Sequence, residues 1–344
     1  MKELWFALPA GNLQISGGNI YNAGLIEALR PLARVRTTSL AGCRADLAQG
    51  VAGVYFIDSL DLGAMAGFPP AGPGQALVLI AHHLPSLEPD LDPGDAALQV
   101  ERAALPRFDA WLATSPFTAE WLAARGCARE RILTVAPAAP EIAGGDGDGG
   151  ADGDGEASVR GLLVGNLIPR KAVRELLQAL AAELRDGDRL SLEIVGRADI
   201  DPAYAAACAN LVRQHAALRA RVTLAGPLPH PRLFARYRRA NLFVSASGME
   251  TFGMALQEAR AAGLPILALD AGYARHHFTD GDDGLLCDSV AALAAALLGL
   301  ARDPPRLRRL ADRARASRPT AGYTWTDAAR RLLAELARCG LGQN

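Results

Sequence analysis

The stretch Leu242-Phe243-Val244-Ser245-Ala246-Ser247-Gly248-Met249-Glu250-Thr251-Phe252-Gly253-Met254-Ala255-Leu256-Gln257-Glu258 reads as a strand, a loop of small residues and a helix opening near Gly253. The first N–H groups of a helix have no partner inside it, and its dipole is positive there, so such a turn suits a phosphate. Glu250 falls before the helix and Glu258 in its second turn. Helical side chains lean toward the N-terminus, so both carboxylates are expected at one pocket, where they would take hydroxyls rather than phosphate.

The same strand–helix alternation extends in both directions. Upstream, Leu4–Leu8, Gly53–Ile57, Ala76–Ala81, Ala110–Thr114 and Ile132–Ala136 read as strands, with helical patterns such as Ile20–Leu32 and Phe117–Arg125 between them. Around the quoted stretch, Gly161–Val164, Leu190–Val195, Val222–Leu224, Leu242–Ser245 and Pro265–Ala268 are strand candidates. Val173, Leu176, Leu177, Leu180 and Leu184 fall at helical spacing. Three further helices are expected over Ala291–Ala301, Pro305–Ala316 and Thr326–Ala337. This pattern predicts right-handed βαβ crossovers and parallel sheets covered on both faces.

A length of 344 residues suggests two domains. The Gly144–Gly155 run, rich in Gly and Asp, carries no core-forming side chain and marks the boundary as a linker or surface loop. It resembles a calcium loop only superficially, since Gly150 and Ala157 stand where oxygen ligands would be needed. The expected division is 1–143, a linker at 144–158, a second domain at 159–317, and a C-terminal helix within 318–344 packing back on the first domain. Two α/β domains of this kind would leave a cleft for ligand at their strand C-termini.

Composition narrows the function. Half the residues (50%) are hydrophobic and 21% are charged, as in globular proteins. The 36 Lys and Arg against 37 Asp and Glu leave a net charge of −1, which argues against a nucleic-acid partner. No apolar run is long enough to span a bilayer, and the N-terminal one is too short for a signal peptide. The five cysteines are scattered without a C-x-x-C pair, so neither a disulfide framework nor a metal site is expected, and the default compartment is the cytoplasm. Lys2 and Lys171 are the only lysines, which singles out Lys171 when it falls in a motif.

The spacing of Glu250 and Glu258 is that of the E-x7-E motif of family 4 retaining glycosyltransferases. The surroundings, through Phe252-Gly253 and on to Glu258-Ala259-Arg260-Ala261-Ala262-Gly263-Leu264-Pro265, resemble that family closely. The bland alternative is a solvated helix face carrying two acids. Gly165-Asn166-Leu167-Ile168-Pro169-Arg170-Lys171-Ala172 looks like the family's diphosphate-holding G-R-L-x-x-x-K-G segment. Lys171 falls on the lysine, whose compact charge suits bridging phosphate oxygens. Asn166 replaces the usual Arg and Ala172 the usual Gly, with Arg170 available to supply the missing charge. An ordinary basic helix start is the alternative, disfavoured by the helix dipole.

Gly17-Gly18, in the turn after the first strand, resembles the family's Gly-Gly loop facing the donor phosphate; a plain tight turn is the competing reading. His82 and His83 end an apolar strand where family members carry a histidine near the donor sugar, with His82 preferred and a surface loop as the alternative. Gly226-Pro227-Leu228-Pro229 matches the backbone segment that meets the nucleobase, assigning Gly226 and Leu228 to donor binding. Gly272–Leu286 resembles a further family segment, with His276 where Glu is usual. Arg306, Arg308, Arg309, Arg313, Arg315 and Arg318 form a basic cluster, read as a solvated helix face, with weak membrane-surface association as the alternative.

The resemblance implies a GT-B fold, two Rossmann-like domains with parallel sheets facing each other across a cleft. It implies retaining transfer of a sugar, hexosyltransferase-like, from a UDP-, GDP- or ADP-sugar to an acceptor hydroxyl that the sequence leaves unidentified, as it does the oligomeric state. The nucleotide sugar is a substrate, and no cofactor or metal is implied. Glu250, His82 and Lys171 are the catalytic candidates. Gly17, Gly18, Asn166, Arg170, Lys171, Gly226, Leu228, Phe252, Gly253, Met254, Ala255 and Glu258 are the donor-binding candidates. A nucleotide-sugar 2-epimerase and a non-catalytic nucleotide-sugar-binding protein are the rival readings.

Overall fold

Residues 3–8, 16–88, 91–140, 142, 159–319 and 322–341 are described in the computed structural model of the chain. The 144–158 stretch, with both its linker and its calcium reading, lies outside the described residues, as does 11–15 of the glycine turn. The chain divides into two units: Met1–Ala138 with Tyr323–Asn344, and Ala139–Gly322.

In the first unit β1 (Leu4–Ala7), β2 (Val35–Thr38), β3 (Gly53–Asp58), β4 (Gln75–Ala81), β5 (Ala110–Ala113) and β6 (Ile132–Thr134) form one sheet in the order β2-β1-β3-β4-β5-β6. Every described pairing in it is parallel. All residues of β3 and β4 are buried, which is why they read as continuous apolar runs rather than alternating ones. The helix Trp325–Arg338 returns to this unit, where the Trp325 ring meets Tyr21 of the helix Gly17–Leu29 edge-on at 5.7 Å. A capping box between Thr324 and Asp327 starts the returning helix.

In the second unit β7 (Val159–Val164), β8 (Leu190–Val195), β9 (Val222–Gly226), β10 (Leu242–Ser245), β11 (Ile266–Leu269) and β12 (Gly284–Cys287) form a second parallel sheet ordered β12-β11-β10-β7-β8-β9. The strand order reverses between β7 and β10, and the crevice outside their C-terminal ends is where such sheets take ligands. The expected amphipathic helix spans Val173–Glu183 and buries Val173, Leu176, Leu177 and Leu180, while Leu184 is its C-cap rather than its last turn.

The unit boundaries fall at 138/139 and 322/323, not at 143 and 317. The reason is Ile142, which is 2% exposed inside the second core and accepts a hydrogen bond at its carbonyl from Arg318 Nη2. All of the basic cluster but the half-buried Arg318 lies on the helix Pro304–Ala316, which buries Leu307, Leu310, Ala311 and Ala314 and leaves Arg306, Arg308, Arg309, Arg313 and Arg315 exposed. Among the described residues no helix is long and apolar enough to cross a membrane.

Candidate functional site

The two loops leaving β7 and β10 carry the two motifs, and the fold brings them into contact. Gly248 N donates to the Arg170 carbonyl at 2.9 Å, and Arg170 Nη1 donates to the Met249 carbonyl at 2.9 Å. Lys171 Nζ donates to Glu250 Oε1 at 2.5 Å, across 79 residues of sequence. The side chains of this pair are 19% and 13% exposed, so each meets water only at one edge. Burial pushes the Glu250 carboxyl up, but the Lys171 and Arg170 charges and hydrogen bonds from Lys171 and Ser247 outweigh it, and the net shift is downward. Glu250 is therefore an anion at neutral pH.

Lys171 ends a short 3₁₀ turn, Pro169–Lys171, rather than opening the following helix. The turn connects to that helix through Ala172, whose φ of 46° makes it the one non-glycine residue with positive φ among the described residues. A side chain in this left-handed region costs about 1–2 kcal/mol, which accounts physically for the glycine usual in the resembling motif. Ala172→Gly is expected to stabilise the chain by roughly 0.5–1 kcal/mol, the strain relieved less the extra freedom glycine has when unfolded. Thermal melts of the two proteins check it, and a lower melting temperature for the variant would contradict the strain.

On the other loop, Gly253 (φ 90°) is the N-cap of the helix Met254–Ala261 and offers no side chain to cap it. Phe252 is buried, and its carbonyl accepts from His277 Nε2 at 2.6 Å. Met254 and Ala255 are half-buried in the first turn of that helix. Tyr273 stacks on Phe252 at 5.6 Å and on His276 at 4.5 Å, and its N–H donates to the Glu250 carbonyl at 2.7 Å. His276, standing where a carboxylate was expected, is thus stacked beside the loop.

Glu258 does not share the surroundings of Glu250. It is 5% exposed, and its Oε2 accepts from Tyr237 Oη at 2.7 Å; the two glutamates have no partner in common among the described residues. Burial raises the Glu258 carboxyl to about 7 against the lowering pull of the Tyr237 hydroxyl. Between the ordinary value of 4.5 and about 7 the unfolded chain has released this proton while the folded chain keeps it. Stability must therefore fall as pH rises through that window, by about 3 kcal/mol, and Glu258→Gln should remove this slope. Urea midpoints at pH 5 and pH 8 check it: the variant should gain on the wild type at the higher pH, and an unchanged difference would refute the assignment.

The remaining donor candidates lie along the same strand ends. Gly226 ends β9 with φ 69°, and its carbonyl accepts from Gly196 N at 3.1 Å. A Cβ on Gly196 would lie 1.9 Å from the Gly165 carbonyl oxygen, so the loops after β7 and β8 touch backbone to backbone. Asn166 Oδ1 accepts from Arg197 N at 3.3 Å, tying those loops rather than supplying the charge of an arginine. Leu228 is half-buried beside the second core.

In the first unit His82 is half-buried in a polar network. Asn22 Nδ2 donates to Asp58 Oδ2 at 3.1 Å, which turns Asn22 Oδ1 to His82 Nε2 at 2.9 Å and fixes the ring proton on Nε2. Asp58 Oδ2 is 3.6 Å from the same nitrogen. Burial lowers the His82 pKa against the raising effect of Asp58, so the ring is neutral at pH 7. A Cβ on Gly18 would meet His82 Cδ2 at 3.0 Å, so the half-buried Gly18 lies against this ring while Gly17 is exposed. His83 instead pairs with Glu88 at 2.7 Å. Sequence reasoning missed Asp58 and Asn22, although an acid closing an apolar strand and an Asn on the buried face of a helix were both visible signals. It also missed Tyr237 and His277.

Comparison with known proteins gives consistent results. The family described as "Glycosyl transferases group 1" matches residues 159–317. A D-inositol 3-phosphate glycosyltransferase of Nocardia farcinica is 35% identical over 218 residues, 60% of this chain and 48% of that protein. D-inositol 3-phosphate glycosyltransferase 1 of Catenulispora acidiphila is 31% identical over 284 residues, 76% of this chain and 66% of that protein. The chain thus spans between about half and two thirds of these relatives' lengths. Among solved structures, Anabaena HepE in complex with UDP-glucose superposes with a TM-score of 0.75 at 18% identity, covering 98% of this chain and 100% of that one. A sucrose-phosphate synthase from Thermosynechococcus elongatus gives 0.73 at 20% identity, covering 98% of each.

Proposed function

Because the chain carries a group 1 glycosyl transferase domain of the GT-B, family 4 type over residues 159–317, we propose that it transfers a hexose from a nucleoside diphosphate sugar to an acceptor hydroxyl with retention of anomeric configuration. The observation that carries this reading is the Lys171–Glu250 pair at the switch point of the second sheet, a cation and an anion side by side where the two charges of such a reaction develop. The departing diphosphate gains negative charge, and Lys171, Arg170 and the uncapped start of the helix Met254–Ala261 answer it. The sugar becomes oxocarbenium-like, and Glu250 answers that charge. Glu258 takes the ribose, with Asn166, Gly226, Leu228 and Phe252 lining the donor.

No side chain in this set is assigned as a covalent nucleophile. The acceptor hydroxyl attacks the face that the diphosphate leaves, and the leaving phosphate takes its proton. The nucleotide sugar is substrate, and the reaction needs no further cofactor in this reading. The five cysteines are free and buried, which fits a reducing compartment, and we place the protein in the cytoplasm.

Incubation with labelled UDP-, GDP- and ADP-sugars without acceptor tests the proposal. UDP-glucose comes first because it is the molecule held by Anabaena HepE. Slow hydrolysis with retention supports a transferase. Release of an epimer would assign a 2-epimerase, and binding without turnover a nucleotide-sugar-binding protein.

A further inference from the structure

A concavity of about 60 Å³ opens at the opposite end of the second sheet. Arg160 at the start of β7, Asn241 just before β10 and Pro265 just before β11 line it, so it lies at the strand N-termini. Strands of four to six residues at about 3.3 Å each put it roughly 15 Å from the loops holding Lys171 and Glu250. It shares with the site described above only Tyr237, the partner of Glu258.

Its rim is cationic. Arg160, Arg238 and Arg315 line it, and the fully buried Tyr237, anchored through its hydroxyl to Glu258, lies behind it. The exposed Arg238 guanidinium makes no hydrogen bond or ion pair with any described residue. Arg160 uses only its Nε, on the Arg239 carbonyl at 3.0 Å. Arg315 pairs with Asp312, the one carboxylate engaged there.

The bland account is that Arg238 merely offsets the dipole of the helix His230–Arg239, which ends here as does Met254–Ala261. Each helix end carries about half a negative charge, so against the two ends and Asp312 the three guanidiniums leave about one positive charge in excess. Two of these have free N–H groups in the planar fork that suits phosphate. Ala262, Pro265 and Ala311 add apolar surface beside them.

We infer that this concavity is a binding site for a phosphate monoester, its phosphate on Arg160 and Arg238. The source of the phosphate is either a soluble phosphorylated sugar or the headgroup of an anionic lipid. Calorimetry with glucose 6-phosphate and sedimentation with phosphatidic acid vesicles, against phosphatidylcholine vesicles, distinguish the two. Arg238→Gln should weaken binding of whichever probe binds about tenfold or more, and Arg160→Gln/Arg315→Gln should abolish it. Lys171→Ala should leave this binding intact, since it touches only the other end of the sheet. Should the double variant fail to fold, Arg238→Gln decides alone, because that side chain has no partner to lose. Binding insensitive to Arg238, binding lost with Lys171, or failure of both probes to bind the wild type would each overturn the inference.

Discussion

Glu250→Gln is expected to lower kcat by about 10²-fold or more while leaving affinity for the free nucleoside diphosphate no weaker than in the wild type. Gln keeps the shape and one acceptor oxygen of Glu250 but not its charge. That charge is held against burial by Lys171 and Arg170, whose joint effect keeps the carboxyl below its ordinary range. A fixed anion matters more to a sugar gaining positive charge than to the neutral ground-state sugar, so the loss belongs in kcat rather than in KM. The diphosphate should bind at least as well, because Lys171 is released from the counter-ion that it meets at 2.5 Å. Steady-state kinetics with a separate calorimetric measurement of the diphosphate check both halves. A variant altered only in KM would move Glu250 from the transition state to ground-state binding.

Lys171→Ala should weaken donor and free diphosphate alike by roughly 10- to 100-fold, the worth of one charge-assisted contact of about 1.5–3 kcal/mol. The structure adds a second consequence. Glu250 is 13% exposed at its side chain, and the variant leaves it without its ammonium partner. Its carboxyl, now lowered, should rise, because burial remains while the main opposing charge is gone. A depressed carboxyl stabilises the fold above its unfolded pKa and loses that contribution as pH falls through its folded value. Wild type and variant should therefore differ most in stability at neutral pH and converge in acid. Calorimetry with diphosphate and denaturation at pH 4 and pH 7 measure the two effects. Unchanged diphosphate affinity would remove Lys171 from the site, and a stability gap equal at both pH values would deny the pairing.

The parallel α/β architecture was legible because strands such as Leu242–Ser245 leave short apolar runs and others such as Leu190–Val195 alternate apolar with polar, and both form with those bounds. The edge strands β2 and β12 were not. Val35–Thr38 exposes Arg36 and Thr37, and a strand paired on one side only needs no apolar run. Turn chemistry was equally local: Gly253 was readable as a helix start because only a glycine takes that φ without cost.

The sequence by itself determined the two motif loops, their strand–turn–helix setting and the residue types able to hold a diphosphate sugar. Only the tertiary structure decided which of them pair and which charges survive. Lys171 and Glu250 are 79 residues apart, and Asn22, Asp58 and His82 come from three separate elements. No local pattern records such distances, because each depends on how strands order themselves in the sheet. Nor could spacing separate the two glutamates. One lies among cations and is held ionised; the other is buried against Tyr237 and is raised to about 7. Periodicity and turn preference are properties of neighbouring residues, whereas desolvation and ion pairing arise only when distant segments exclude water together.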